Sequence, residues 1–168
     1  MESPLEWMER DNPHYDPNRI GAVSQAKILA ALVAAGKVVL TPCVHVRPYD
    51  FVIEEDRSFF RVQCKTGRLF RGAVCFRPHR LRAAKQETGW VRRVTDYKGE
   101  VDFFGVFCPE TDSVYLVPIE VVNTSKFCFL RVTPPKNNQK KGIRWAEDYL
   151  VVPRYSPPMM ILDDAIDD

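Results

Sequence analysis

Between Ile20 and Val33 the apolar positions recur at steps of three and four: Ile20, Val23, Ile28, Leu29, Leu32 and Val33, with alanines filling the intervals. That spacing predicts a helix, and Gly36 just beyond it supplies the stop. The pattern then changes. Val38 to Leu40 is a short β-branched run ending at Pro42. Tyr49-Asp50-Phe51-Val52-Ile53 and Phe59-Phe60-Arg61-Val62-Gln63-Cys64-Lys65 flank the polar turn Glu54-Glu55-Asp56-Arg57-Ser58, so the two runs predict a β-hairpin. Thr66-Gly67-Arg68 breaks it, and Gly72 to Arg77 reads as a third, shorter strand stopped by Pro78. Residues 79–97 are basic and weakly periodic, and read as loop with a short helix. Val101 to Cys108 and Val114 to Val117 predict another pair of strands around the turn Pro109 to Ser113. After them come a short helix from Glu120 to Asn123, a strand from Phe127 to Val132, a loop over 133–138 and a short helix from Ile143 to Leu150.

Helix, strand, hairpin, further strands and short helices make a mixed sheet with a helix packed on it, an α/β or α+β domain. A chain of 168 residues suits one core rather than two. Residues 1–18, with three prolines, read as an arm with a turn of helix around Leu5–Arg10; 19–152 form the domain; 153–168 are an extended acidic tail.

Charge alters this picture more than composition does. The formal net charge is only +2, yet from Arg57 to Lys98 there are twelve Lys or Arg against two acids, while Asp163, Asp164, Asp167 and Asp168 close the chain. A charge run alone most often marks a solvated surface; a local excess of this size also suits a polyanionic partner. The five cysteines contain no C-x-x-C pair, so neither a zinc site nor a disulfide framework can be read from them. Free thiols in apolar runs point to a reducing, intracellular compartment. The N-terminal stretch is acidic and unlike a signal peptide, and no apolar run reaches membrane-spanning length. A cytoplasmic protein with no membrane contact is expected. His14, His45 and His79 lack ligand spacing and read as surface or loop residues.

If the hairpin pairs as drawn, Asp50 at the start of its first strand approaches Gln63 and Lys65 at the end of its second. Side chains alternate along a strand, so Gln63 and Lys65 share one face and Cys64 takes the other. A carboxylate, an amide oxygen and an ammonium group then converge at one end of a sheet. Phosphodiester hydrolysis uses such a set: oxygen ligands hold Mg²⁺, the ion polarises the phosphate and acidifies its water, and the ammonium stabilises developing charge. D…Q-x-K is a weak pattern alone, and a surface Asp beside a solvated strand edge produces it too. The flanking Phe-Val-Ile and Phe-Phe-Arg-Val runs argue for burial instead.

RIGAVSQAKILAALVAAGKVVLTP followed by YDFVIEEDRSFFRVQCKTGRL resembles the PD-(D/E)XK nucleases, in particular the branch with Gln-x-Lys in place of Glu-x-Lys that includes group I intron-encoded homing endonucleases. DYKGEVDFFGVFCPETDSVYLVP and LRVTPPKNNQKKGIRWAEDYLV are similar to the same branch, so the likeness covers roughly 19–150. The resemblance implies a restriction-endonuclease-like α/β fold, a central mixed β-sheet flanked by helices. It implies that Asp50, Gln63 and the backbone carbonyl of Cys64 bind Mg²⁺ (or Mn²⁺), and that Lys65 is catalytic. It places Gln25, pointing inward beside Ile28, Leu29 and Leu32, where the family usually has a supporting Glu. Two positions that are often carboxylates are therefore amides, and Asp50 is the one formal negative charge in the set. Metal affinity without DNA should be weak.

The basic residues Arg68, Arg71, Arg77, Arg80, Arg82, Lys85, Arg92 and Arg93 suit the phosphates of double-stranded DNA, and Lys136, Lys140, Lys141 and Arg144 form a second cluster. Cutting both strands is simplest for a homo-oligomer, a dimer or tetramer. Glu100 and Asp102 are candidate extra acids, and partners for nearby arginines more readily than ligands. The expected activity is a Mg²⁺-dependent, site-specific, homing-type endonuclease. Its alternatives are a Holliday-junction resolvase-like nuclease and a DNA-binding module that has lost its metal chemistry.

Overall fold

The computed structural model describes residues 16–44, 46–86, 89–122, 126–134 and 141–154, with only the backbone of 81–93. It opens with helix α1, Pro17–Ala34. Asp16 caps it, its carboxylate accepting from the backbone N–H groups of Asn18 at 3.0 Å and Arg19 at 3.3 Å, and Pro17 takes the first turn where no N–H is needed. At the other end Gly36 adopts φ 77°, and the N–H groups of Gly36 and Lys37 bond the carbonyls of Val33 and Leu32. This pair of bonds satisfies the last turn's carbonyls and depends on a left-handed residue, which is why a glycine stands there.

Strands β1 (Val38–Leu40), β2 (Phe51–Glu55) and β3 (Ser58–Thr66) follow. The hairpin turns at Asp56 and Arg57, both at positive φ. Strands β4 (Arg68–Phe70) and β5 (Ala73–Phe76) come next, then β6 (Arg80–Gln86) and β7 (Gly89–Thr95). The chain continues through β8 (Phe103–Cys108), β9 (Ser113–Pro118) and β10 (Cys128–Arg131), with single 3-10 turns at Ile119–Val121 and Ala146–Tyr149. Five strands form the central sheet in the order β1-β2-β3-β8-β9. All its pairs are antiparallel except β3 with β8, so the sheet is mixed. Helix α1 lies on one face, where Ile28 and Leu32 pack against Phe51, Ile53, Val62, Phe107 and Val114. A three-stranded sheet, β10-β5-β4, contributes Val74, Phe76, Cys128 and Leu130 to a second core with Phe104, Val106, Tyr115 and Val117.

Helix and sheet approach closely at Gly105. A Cβ there would lie 2.8 Å from Ile28 Cγ2 and 3.2 Å from Val62 Cγ1. Gly105→Ala is therefore expected to destabilise the protein by about 1–3 kcal/mol, the cost of overfilling a packed core. Chemical denaturation measures it; an unchanged midpoint would mean α1 is not seated on β8.

Residues 79–97 do not form the loop with a short helix that the sequence suggests. They are the β6–β7 ribbon, in register from Arg80↔Thr95 to Gln86↔Gly89. Among the described residues the ribbon pairs with no other strand. Two strands that join no larger sheet need not write the apolar alternation on which strand prediction relies. Strand β4 is also additional, three residues being too few to show a period. The helix expected over Ile143–Leu150 shrinks to the turn Ala146–Tyr149, between bridges from Trp145 to Arg131 and from Leu150 to Tyr115. The turn expected in the arm at Leu5–Arg10, most of the acidic tail and Asn123 lie outside the described residues. The start of the tail is docked: Arg154 N–H bonds the Ala34 carbonyl at 2.9 Å.

Candidate active site

The register of β2 on β3 ends with Phe51↔Val62, and Asp50 N–H donates to the Val62 carbonyl at 2.8 Å. One step further along the same ladder sets Asp50 against Gln63. Their side chains meet: Gln63 Nε2 donates to Asp50 Oδ2 at 2.6 Å, and the same oxygen accepts the Cys64 N–H at 2.7 Å. Gln63 Nε2 also lies 3.2 Å from the Cys64 carbonyl oxygen. One amide nitrogen thus faces a carboxylate oxygen and a backbone carbonyl, as a small cation would. A half-turn of the amide about its terminal bond presents Oε1 in place of Nε2, and three hard oxygens then share one focus. That donor set suits Mg²⁺ or Mn²⁺. Among the described residues no group of three His, Cys, Asp or Glu is placed to hold a metal, so the candidate rests on one carboxylate and neutral oxygens.

Lys65 is on the same face of β3 as Gln63. Its ammonium donates to Tyr97 Oη at 3.0 Å and to the His79 carbonyl at 3.2 Å, and sits 4.6 Å from the Tyr97 ring centre. Burial, opposed by Asp50 and reinforced by Arg80, pushes its pKa down to about 8. Among the described residues no carboxylate is bonded to it. The Cys64 thiol, by contrast, is pushed well up, first by burial and then by Asp50, and is no nucleophile.

Among the described residues no hydrogen bond joins Gln25 to this group. The inward position on α1 is Ser24, 2% exposed, whose Oγ lies 2.6 Å from Thr66 Oγ1 at the end of β3. Gln25, one step round, is half-buried and makes no side-chain hydrogen bond among the described residues. Glu100 and Asp102 are charge partners of arginines. Asp102 accepts from the Arg61 guanidinium at 2.9 and 3.0 Å and from the Arg61 backbone N–H at 2.7 Å, and those contacts hold its carboxyl below the usual range. Glu100 is paired with Arg80.

The basic residues divide. Arg71 is exposed at φ 49°, its guanidinium 5.1 Å from the Phe70 ring centre. Arg77 lies 5.5 Å from the Phe127 ring centre and lines a groove of about 1110 Å³ with His79, Tyr97, Lys98 and Phe104. Arg68 faces Glu110 at 3.8 Å, and Arg80 is mostly buried between Glu100 and Tyr97. Arg82, Lys85, Arg92 and Arg93 stand on the β6–β7 ribbon, with Arg82 opposite Arg93, and their side chains lie outside the described residues. So do Lys136 and Lys140, His14 and His45. The residues not foreseen are Tyr97 and Ser24. Neither belongs to a spaced motif, and only the folded register brings them to β3.

A sheet end where one carboxylate, an amide and a backbone carbonyl converge beside a buried lysine, on a mixed sheet backed by a helix, describes a phosphodiester-cleaving class of protein. The model of the PD-(D/E)XK endonuclease family matches residues 15–152, and the chain belongs to that family. Among solved structures it is similar to a bacterial homing endonuclease, I-Ssp6803I, with 19% identity, a TM-score of 0.62, and coverage of 81% of this chain and 89% of that one. At that identity the likeness speaks for the fold. No curated protein sequence matches. Among the described residues no helix is long and apolar enough to cross a membrane.

Proposed function

We propose that the chain is a Mg²⁺-dependent, site-specific endonuclease of double-stranded DNA, of the homing type, acting as a dimer or tetramer. The observation that carries this is the meeting of Asp50, Gln63 and the Cys64 carbonyl at one point, with the Lys65 amine on the same face and, among the described residues, in no ion pair. Those three residues would hold the ion. When bound, Mg²⁺ supplies Lewis-acid polarisation of the phosphate and a more acidic water. Lys65 stabilises the charge that grows on the phosphate oxygens and orients the attacking water. Water forms the new P–O bond, one ester P–O bond breaks, and the departing alkoxide takes a proton. Arg71, exposed after β4, and Arg77, half-buried at the end of β5, give phosphate contacts that place the strand without reading it.

One observation favours a second reading. Gln63 now presents its N–H face to Asp50, which suits a scaffold that binds DNA and has lost its metal. Incubation with Mg²⁺ and a supercoiled plasmid library carrying random inserts, beside a four-way junction, separates the possibilities. Cutting of a duplex at one sequence is expected. Junction-only cutting would identify a resolvase, and salt-sensitive binding with no cutting in Mg²⁺ or Mn²⁺ would establish the metal-free module.

A further inference from the structure

We infer that Tyr97 is a positioning residue for the reaction: its phenol oxygen holds the Lys65 ammonium in the one orientation that leaves a donor directed at the cleavage site. The inference rests on the nuclease reading for its consequence, though not for its geometry.

An ammonium group has three N–H donors and no acceptor. Two of those of Lys65 are engaged, by Tyr97 Oη at 3.0 Å and by the His79 carbonyl at 3.2 Å. Among the described residues the third has no partner. A flexible four-carbon side chain fixed at two of its donors has its third direction fixed as well, which is the pre-organisation that catalysis requires. The partners are neutral. A carboxylate in place of the phenol would orient the amine equally well, but would offset the charge that the scissile phosphate needs. A phenol orients without neutralising.

Tyr97 is itself held in place. It is 5% exposed, its ring stands edge-on to Phe104 at 5.5 Å, and Phe104 is paired in register with Gln63 across the β3–β8 ladder. Its backbone opens a turn in which the Glu100 N–H bonds the Tyr97 carbonyl at 2.9 Å, with Gly99 at φ 75°. The far end of that turn supplies Glu100 to Arg80, whose guanidinium sits 5.0 Å from the same ring. A single four-residue turn therefore supplies the orienting group for one cation and the counter-charge for its neighbour. Arg80 Nε and Nη1 are buried without a hydrogen-bond partner among the described residues, so its positive charge is only partly met and still acts on Lys65. Two cations close to one ring, at 4.6 and 5.0 Å from its centre, repel each other, and the phenol oxygen ties one of them by a directional bond.

Tyr97→Phe keeps the ring and its contact with Phe104, and removes the hydroxyl that accepts from Lys65. In single-turnover cleavage of the plasmid library in Mn²⁺ we expect a rate loss of about 10- to 100-fold. Affinity for the same DNA in Ca²⁺ should not change, because the phenol touches no phosphate. Independently of activity, ¹³Cε relaxation of Lys65 should show a lower order parameter in the variant. An unchanged rate, or a rate loss that tracks weaker DNA binding, would overturn the inference, as would an unchanged order parameter. Wild type and Lys65→Met run alongside. If these two do not differ in cleavage, it is the nuclease reading that fails, and the relaxation measurement alone then decides on Tyr97.

Discussion

Lys65→Met should abolish most DNA cleavage, with a loss of about 10²–10³-fold in single-turnover rate, the size seen when one pre-organised charge at a transition state is removed. It should do so without loosening the fold. Methionine retains an unbranched aliphatic stem of similar length at a position paired with Val106 on the neighbouring strand. What disappears is a charge held away from water, with its pKa pushed down to about 8 because burial disfavours the ammonium. Removing an unfavourably buried charge relieves a cost, and the hydrogen bonds lost, to Tyr97 and to the His79 carbonyl, are bonds to neutral acceptors. The relieved charge offsets the cost of leaving those two acceptors without a donor, so the melting temperature should stay close to that of wild type. Binding should survive too, since the contacts of Arg71 with Phe70 and of Arg77 with Phe127 do not involve the amine. Cleavage rate, DNA affinity and thermal midpoint, measured on one preparation, give the answer together. A variant that cuts normally removes Lys65 from the chemistry. A variant that neither cuts nor binds shows that the lysine supports the DNA-binding surface and nothing more.

What the amino-acid sequence reveals of this site, and what it hides, follows from the range of the interactions involved. The meeting of Asp50 with Gln63 is local: two β-patterned runs joined by a short polar turn admit few registers, and the apolar set Phe51, Ile53 and Val62 must all face α1. Helix α1 is equally legible, because its apolar period, its Asp16 cap and its Gly36 stop lie within one continuous segment. Tyr97 is different. It reaches Lys65 across 32 residues of chain, through the β6–β7 ribbon, whose charge-rich strands carry no alternation to announce them. Ser24 bonds Thr66 over a separation of 42 residues, and a serine among alanines on a helix gives no sign that it faces inward. Gln25 is the more natural candidate from its polarity and from the position the resemblance implies, yet Ser24 is the residue buried against the sheet. Spacing identifies the elements; it does not fix helix rotation to within one residue, and here that one residue separates a buried hydroxyl from a half-exposed amide. Glu100 and Asp102 are the intermediate case. Their acidity is visible in the sequence, and so is the surplus of arginine, which makes pairing a better expectation than metal binding even before Arg61 and Arg80 are located.

Gln63→Glu should turn the protein from one that is indifferent to divalent metal when free of DNA into one that is stabilised by it. In the present arrangement the Gln63 N–H group serves Asp50 Oδ2 at 2.6 Å and the Cys64 carbonyl at 3.2 Å. A glutamate offers those acceptors no donor, and adds a second negative charge against Asp50. In EDTA the variant should lose about 1–3 kcal/mol, the usual cost of leaving buried acceptors without their partner. Added Mg²⁺ reverses the sign of the effect: two carboxylates and a carbonyl now form a conventional oxygen cage, and an ion that binds the folded state alone stabilises it by about 2.7 kcal/mol when present at 100 times its dissociation constant. Wild type, with one formal charge at the same point, should shift far less over the same range of Mg²⁺. The measurement is a pair of thermal melts with and without Mg²⁺ for each protein, and it needs neither a DNA target nor turnover. If Mg²⁺ moves both proteins equally, or moves neither, Asp50, Gln63 and Cys64 do not form a cation site, and the meeting of their side chains is then a structural hydrogen-bond cluster at the mouth of the hairpin. If only the variant responds, the natural amide has a physical meaning. It keeps the site weakly charged in the free protein, so that the ion is held only when a DNA phosphate supplies the remaining negative charge.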